Sequence, residues 1–299
     1  PAARQSLQFE LGRNGAFSEC DIVIDVTGDD PLVPTPDKRD GYLRAAPDDP
    51  ASVQRIAFQA ADLVGTFEKP KYVAYDASIC AHGRSRKTGC TNCLDACPTG
   101  AIASLGETVE IDPHVCAGCG SCASVCPTGA ATYNLPRPFD LFERLRTLIG
   151  GYLKAGGKDP VLLIHDARHG EELIAMMARY GRGLPARVLP LQVSQVTQIG
   201  LDALSGAFGY GAARVVFLVP PAKRREGELD GLETQIATMD AILDGMGYGE
   251  GRITLVEEAD PDAAEAHLWA LDKPAAPAPG SFLAMGGKRS RTMLGLRHL

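Results

Sequence analysis

The chain has 299 residues, of which 45% are hydrophobic and 22% are charged, and its formal net charge is −7. This composition is that of a globular protein with room for two domains. The negative charge argues against nucleic acid as the main partner, and no apolar run reaches the roughly 18 residues that a membrane span needs, so we expect a soluble protein. Because the chain starts at Pro1 and ends without a clear terminus, we also expect a fragment of a longer protein.

Residues 1–79 are predicted to form an N-terminal segment that packs on the rest of the chain. Residues 21–26, "DIVIDV", are typical of a buried strand. Residues 27–50 are rich in Pro, Gly and Asp, which predicts an irregular loop. Apolar residues at helical spacing predict a helix over 51–67. Cys20 lies beside the predicted strand, and we expect it to be a core cysteine outside any metal site.

The other eight cysteines lie between residues 80 and 126. Their close spacing and the odd total of nine do not indicate a disulfide framework. Such bunching indicates metal binding, and therefore a reducing compartment, which predicts a cytoplasmic protein.

The second half of this region has the cysteine spacing of an iron–sulfur protein. Cys116, Cys119 and Cys122 are each separated by two residues, and Cys126-Pro127 follows after three more. In the bacterial run C-x2-C-x2-C-x3-C-P, the fourth cysteine binds the other cluster of a two-cluster protein. These residues resemble the bacterial two-cluster ferredoxin family.

The first half repeats the pattern with its opening cysteine displaced. Cys90, Cys93 and Cys97-Pro98 match the last three positions, but nine residues separate Cys80 from Cys90 where two are usual. Eighteen residues separate the two halves, a length that suits a hairpin.

The resemblance to ferredoxins implies two [4Fe-4S] clusters with crossed ligands. Cluster I would be held by Cys80, Cys90, Cys93 and Cys126, and cluster II by Cys97, Cys116, Cys119 and Cys122. Gly118 and Gly120 would let backbone amides approach the cluster sulfides. Zinc remains the alternative metal because zinc ribbons also use C-x2-C pairs, although they need neither the third cysteine nor a repeated C-P-T-G.

The insert between Cys80 and Cys90 carries His82, Arg84, Arg86 and Lys87. We expect this basic group near cluster I, where its charge would raise the reduction potential or form a docking patch for an acidic partner. A solvated loop is the other interpretation.

From residue 160, strand and helix patterns alternate four times. The predicted strands are 161–165, 186–191, 213–219 and 252–257, and the helices are 170–181, 197–211, 232–247 and 262–271. This order predicts a mostly parallel, doubly wound sheet with helices on both faces. The predicted fold is therefore an α+β ferredoxin-like two-cluster domain plus an α/β domain.

The predicted organisation has five parts. They are the N-terminal segment (1–79), a ferredoxin domain (80–135), a connecting helix (136–159), an α/β domain (160–271), and a Pro/Ala linker with a basic, solvated tail (272–299).

Residues 160–271 resemble the delta subunit of methyl-viologen-reducing hydrogenases, through "ARVLPL", "LDALSGAFGYGAARVVFLVPP" and "GYGEGRITLVEEADPDAA". That family binds a [2Fe-2S] cluster through loop cysteines, whereas these loops have none and keep only His165 and His169. The resemblance thus implies a docking or structural role. No G-x-G-x-x-G follows a strand, and Asp159 stands where a P-loop needs Ser or Thr.

Residues 69–102 resemble larger bacterial 4Fe-4S proteins associated with formate dehydrogenase. Together these features predict an electron carrier rather than a stand-alone enzyme, without catalytic residues of its own. Its partner would be a larger redox enzyme, such as a formate dehydrogenase or a hydrogenase- or heterodisulfide-reductase-type complex. The alternatives are an oxidoreductase whose α/β domain binds a flavin or nucleotide fed by the clusters, and a scaffold with structural clusters.

Overall fold

The structure is a computed structural model that describes residues 7–11, 16–32, 40–84, 87–225 and 228–299. The N-terminal part contains two strand pairs and a helix. Strands β1 (Leu7–Leu11) and β2 (Ala16–Cys20) pair antiparallel, β3 (Val23–Asp25) and β4 (Tyr42–Arg44) pair parallel, and helix α1 (Pro50–Asp62) follows. No helix in the described ranges combines the length and the apolar character that crossing a membrane requires.

The N-terminal predictions are confirmed only in part. The strand expected over 21–26 is limited to β3, where Ile24 is exposed rather than buried. The region predicted to be a loop contains β4, whose buried Tyr42 donates its hydroxyl proton to the carboxylate of Asp25. Cys20 is only half-buried at the end of β2, so the prediction of a core position is wrong.

The cysteine-rich part is built from short strand pairs and two short helices. In chain order these are β5 (Val73–Tyr75), β6 (Gly83–Arg84), β7 (Lys87–Thr88), α2 (Asn92–Asp95), β8 (Ile102–Ser104), β9 (Val109–Ile111), α3 (Ser121–Val125) and β10 (Ala131–Tyr133). Strand β5 pairs antiparallel with β10, β6 with β7, and β8 with β9. The β8–β9 hairpin confirms the turn expected between the two cysteine motifs.

The rest of the chain alternates strands and helices around one sheet. The elements are α4 (Pro138–Lys154), β11 (Val161–Asp166), α5 (His169–Tyr180), β12 (Val188–Val193), α6 (Leu201–Gly209), β13 (Arg214–Val219), α7 (Pro221–Arg225), α8 (Asp230–Gly245), β14 (Ile253–Glu257), α9 (Pro261–Ala270) and α10 (Lys288–Leu296). The four strands are parallel in the order β12-β11-β13-β14, and all four predicted strand–helix repeats are present.

Each face of this sheet carries its own hydrophobic core, because alternate side chains of a strand point to opposite faces. Leu162 and Phe217 pack into one core with residues of α4, α6 and α8. Val161 and Leu218 pack into the other with residues of α5 and α9. Strands covered on both faces have continuous apolar sequences, which is why β11 and β13 are recognisable in the sequence.

The C-terminal residues are folded, so the expected solvated tail is wrong. Helix α10 packs on α6, where a Cβ on Gly295 would lie 2.6 Å from the backbone of Ser205. Arg291 is buried and forms an ion pair with Asp202, with 2.9 Å between Nη2 and Oδ2. A basic side chain with a buried acidic partner anchors the helix instead of facing solvent.

Candidate metal centre

Four cysteines from both halves of the motif surround one small cavity. Cys80, Cys90, Cys93 and Cys126 line it, together with His82 and Thr128. Burial, followed by the negative charges of Cys126, Cys90 and Cys80, raises the pKa of Cys93 to about 11. Thiolates this close repel each other, so the group is stable in its ionised, metal-binding form only around a positively charged core.

The other four cysteines form a second group. Burial raises the pKa of Cys119 to about 11 and that of Cys122 well above its ordinary value. The charge of Cys97 adds to the increase at both of these thiols and at Cys116. The charge of Cys97 thus acts on all three thiols of the second motif, while Cys126 lines the cavity of the first.

The repeated C-P-T-G-A segments place a threonine hydroxyl near the sulfur of Cys97 and of Cys126, and a backbone amide acts on each sulfur as well. The amide of Ala101 lies 3.3 Å from Sγ of Cys97, whose sulfur is also 3.8 Å from the hydroxyl of Thr99. At Cys126, burial raises the pKa, but the amide of Ala131 and the hydroxyl of Thr128 are among the donors that bring it below its usual value. These threonines were not singled out from the sequence, although the repeat itself contains the signal.

Both glycines expected near the clusters adopt the left-handed conformation. Gly118 has φ of 78° and Gly120 has φ of 80°. The amide of Gly118 donates to Cys116. A Cβ would also clash, at 2.7 Å from the ring of Tyr72 and 2.6 Å from Cβ of Gln198, so close packing is a second reason for glycine.

The nine-residue insert forms a β-hairpin that explains the displaced cysteine. The amide of Cys90 donates to the carbonyl of Ala81 at 3.1 Å, and the amide of Gly89 donates to the carbonyl of His82 at 2.6 Å. The ladder continues through β6 and β7, so its base holds Cys80 beside Cys90. The hairpin closes in space the gap that the insert opens in the sequence.

His82 has a structural role in this hairpin. It is only 2% exposed, and its Nδ1 and Nε2 lie 2.7 Å from the carbonyl of Cys90 and from Oγ of Ser104. His82 lies beside the cavity of Cys80, Cys90 and Cys93, as expected, but it is buried in the hairpin rather than part of a solvated loop or a docking patch. Lys87 is exposed, whereas the side chains of Arg84 and Arg86 lie outside the described residues.

No three His, Cys, Asp or Glu side chains in the described ranges come close enough together to bind a single metal ion. An iron–sulfur cubane does not need such convergence, because each of its four thiolates binds a different iron atom. Clustered cysteines with backbone amides directed at several of their sulfurs therefore fit iron–sulfur chemistry.

Comparison with known families agrees with this chemistry. Residues 86–130 match the family described as the 4Fe-4S dicluster domain. The chain contains a 4Fe-4S dicluster domain. The match includes seven of the eight clustered cysteines, and Cys80 precedes it. A search of curated proteins finds no match.

The dicluster domain packs on the carboxyl ends of the parallel strands. Thr197, in a short 3-10 turn after β12, donates its hydroxyl proton to the carbonyl of Cys119 at 2.6 Å. That turn also contacts β11 and α3. Parallel sheets usually bind ligands at this edge. Here the edge supports the loop that carries Cys119.

A buried ion pair also lies near this loop. Lys223 and Glu228 follow β13, are 3% and 6% exposed, and have 2.9 Å between Nζ and Oε2. The charge of Glu228 is one of the smaller contributions that raise the pKa of Cys119. The α/β part thus contributes charge as well as packing to the dicluster domain.

His165, near the end of β11, and His169, at the start of α5, do not converge on a common site. Nδ1 of His165 lies 3.0 Å from the carbonyl of Asp166, and Nε2 of His169 lies 2.7 Å from the carbonyl of Glu258. Each ring has its own backbone partner. This arrangement agrees with the interpretation that they are hydrogen-bonded structural residues.

Proposed function

We propose that the chain is an electron-transfer protein with two [4Fe-4S] clusters. The observation that supports the proposal is the position of Cys126 in the cavity lined by Cys80, Cys90 and Cys93, while the charge of Cys97 acts on the thiols of the second motif. Cluster I would be held by Cys80, Cys90, Cys93 and Cys126, and cluster II by Cys97, Cys116, Cys119 and Cys122. The two-cluster ferredoxin-like unit would pack against a doubly wound α/β unit, with the boundaries predicted above.

Each bound cluster would supply one-electron chemistry. The residues of the chain would hold the iron through sulfur, neutralise part of its negative charge through amide donors, and keep water away. The amides of Ala101 and Gly118 and the hydroxyl of Thr128 are such donors. Hydrogen bonds to the sulfurs raise the reduction potential because they stabilise the more negative, reduced state.

Electrons would enter or leave at cluster I. Three of the four cysteines assigned to cluster I are half-buried and Cys126 is buried, whereas in cluster II both Cys119 and Cys122 are buried. Exposed Lys87, on the hairpin beside Cys90, would favour an acidic partner surface. The partner we propose is a larger redox enzyme, such as a formate dehydrogenase or a hydrogenase- or heterodisulfide-reductase-type complex, on the basis of sequence resemblance alone.

The α/β unit would hold the dicluster domain rather than bind a cofactor of its own. The support is the contact of Thr197 with the Cys119 carbonyl, at the strand edge where a flavin or nucleotide would otherwise be expected.

An absorption spectrum and protein-film voltammetry of anaerobically purified protein test this proposal. We expect a broad absorption shoulder without flavin bands, and reversible one-electron waves. Flavin bands would favour the oxidoreductase instead, and clusters that cannot be reduced reversibly would favour a scaffold.

A further inference from the structure

Helix α3 joins the two groups of cysteines. Cys122 lies within the helix and belongs to one group, while Cys126 follows its last residue and belongs to the other. The last turn of α3 is therefore one of two equally short covalent connections between the two proposed clusters, the other being the segment from Cys93 to Cys97. A charge placed at this turn acts on both of them.

The side chain of Lys288 reaches this turn from α10. Its Nζ donates to the carbonyl of Ala123 at 2.7 Å and to that of Ser124 at 2.5 Å. Lysine is favourable there because the carbonyls at the end of a helix are unpaired and carry partial negative charge. Burial lowers the pKa of Lys288 below its ordinary value, and the negative charges of Asp202, Cys126 and Cys122 oppose this shift.

The surroundings of Lys288 are shaped to hold it. Only 9% of the residue is exposed. A Cβ on Gly129 would lie 2.9 Å from Cβ of Lys288, and a Cβ on Gly200 would lie 3.1 Å from its Nζ. Glycine at both positions thus leaves room for the lysine between the dicluster domain and the α/β part.

The charge of Lys288 is only partly balanced by its neighbours. Asp202 is the acidic residue whose charge favours the ammonium form of Lys288 most. Its Oδ2, however, accepts hydrogen bonds from Nε and Nη2 of Arg291 at 3.1 and 2.9 Å. In the part of the chain that the structure describes, no carboxylate forms an ion pair with Nζ of Lys288. The ammonium group therefore keeps a field directed at the cysteines.

We propose that Lys288 is a shared tuning residue that raises the reduction potentials of both clusters. This inference rests on the proposed function. Reduction adds one negative charge to a cluster, and a nearby buried cation stabilises that charge more strongly than it would in water. One side chain would thereby keep the two potentials high together.

The test compares three variants by EPR-monitored redox titration of the full chain, each with iron and sulfide analysis. Lys288→Met removes the charge but keeps a side chain of similar length. We expect the ratio of reduced to oxidised cluster at a fixed solution potential to fall at least tenfold for both clusters, which corresponds to a midpoint potential lower by about 59 mV. Lys288→Arg keeps the charge, and we expect a change of less than about threefold in the same ratio. Arg289→Met removes an exposed charge from the same helix and should leave both potentials unchanged.

Lys288→Gln provides a second neutral variant if Lys288→Met does not fold, because its amide can still donate to the carbonyls of Ala123 and Ser124. It should also make both clusters harder to reduce. Unchanged potentials in a neutral Lys288 variant that keeps full iron and sulfide would overturn the inference, as would a shift of one cluster alone. Absence of iron and sulfide from the wild type would instead overturn the proposed function.

Discussion

Replacing His82 with alanine should selectively weaken the group of cysteines around Cys80. The imidazole connects the base of the insert hairpin to β8, with both ring nitrogens 2.7 Å from their partners, the carbonyl of Cys90 and Oγ of Ser104. Without the ring, a cavity opens and the partners lose their hydrogen bonds. The hairpin that holds Cys80 beside Cys90 should then open more often.

The size of the effect follows from those two contacts. Each hydrogen bond contributes about 1 kcal/mol, and a buried group left unsatisfied costs about 1–3 kcal/mol. The sum is roughly 2–4 kcal/mol, since the Ser104 hydroxyl can turn to another partner. At about 1.4 kcal/mol per tenfold change, hairpin opening should become roughly 30 to 700 times more favourable.

Iron release to a chelator, followed by absorbance under anaerobic conditions, measures this opening. We expect His82→Ala to lose about half of its iron rapidly, while the remaining half is released at the wild-type rate. His114→Ala is the control, because this histidine is exposed and belongs to the same part of the chain. Equal acceleration of both halves, or no acceleration, would refute the role assigned to His82.

Three further changes test other parts of the structure. Cys80→Ser should contain only the iron of one cluster, whereas the control Cys20→Ser should contain the iron of both clusters. A full iron content in Cys80→Ser would contradict the assignment of Cys80 as a ligand. Glu265→Ala should destabilise the α/β part by roughly 2–4 kcal/mol in urea unfolding, because its carboxylate accepts two backbone N–H bonds, whereas exposed Asp262→Ala should change little. Burial lowers the pKa of His165 below 6.5. Below pH 6.5 the unfolded chain therefore binds more protons than the folded chain. The free energy of unfolding of the wild type should then fall as the pH decreases, by up to about 1.4 kcal/mol per pH unit. His165→Asn should weaken this slope, and an identical slope would exclude the histidine as its cause.

The strand–helix repeats could be predicted because their signals are local. All six residues of β11 and of β13 are buried, which leaves uninterrupted apolar runs in the sequence. The cysteine motifs are local in the same way, since a cluster-binding loop takes its first three ligands from neighbouring positions. Such features depend on a few adjacent residues, which a sequence displays directly.

The remaining features depend on contacts between distant residues. From the sequence, Lys288 and Arg291 are expected to be solvated charges. In the structure Arg291 donates to the carboxylate of Asp202, 89 positions away, and Lys288 donates to the carbonyl of Ser124, 164 positions away. His82 likewise pairs with Ser104, 22 residues later. No local pattern distinguishes such a charge from an exposed one, because its partner is defined only by the tertiary fold.

Analysis of iron and acid-labile sulfide, combined with EPR of the reduced protein, is the most direct test of the central claim. Two cubanes predict about eight irons and eight sulfides per chain, with EPR signals broadened by interaction between neighbouring clusters. Stoichiometric zinc without sulfide, or cysteines that bind no metal after anaerobic purification and reconstitution, would contradict it.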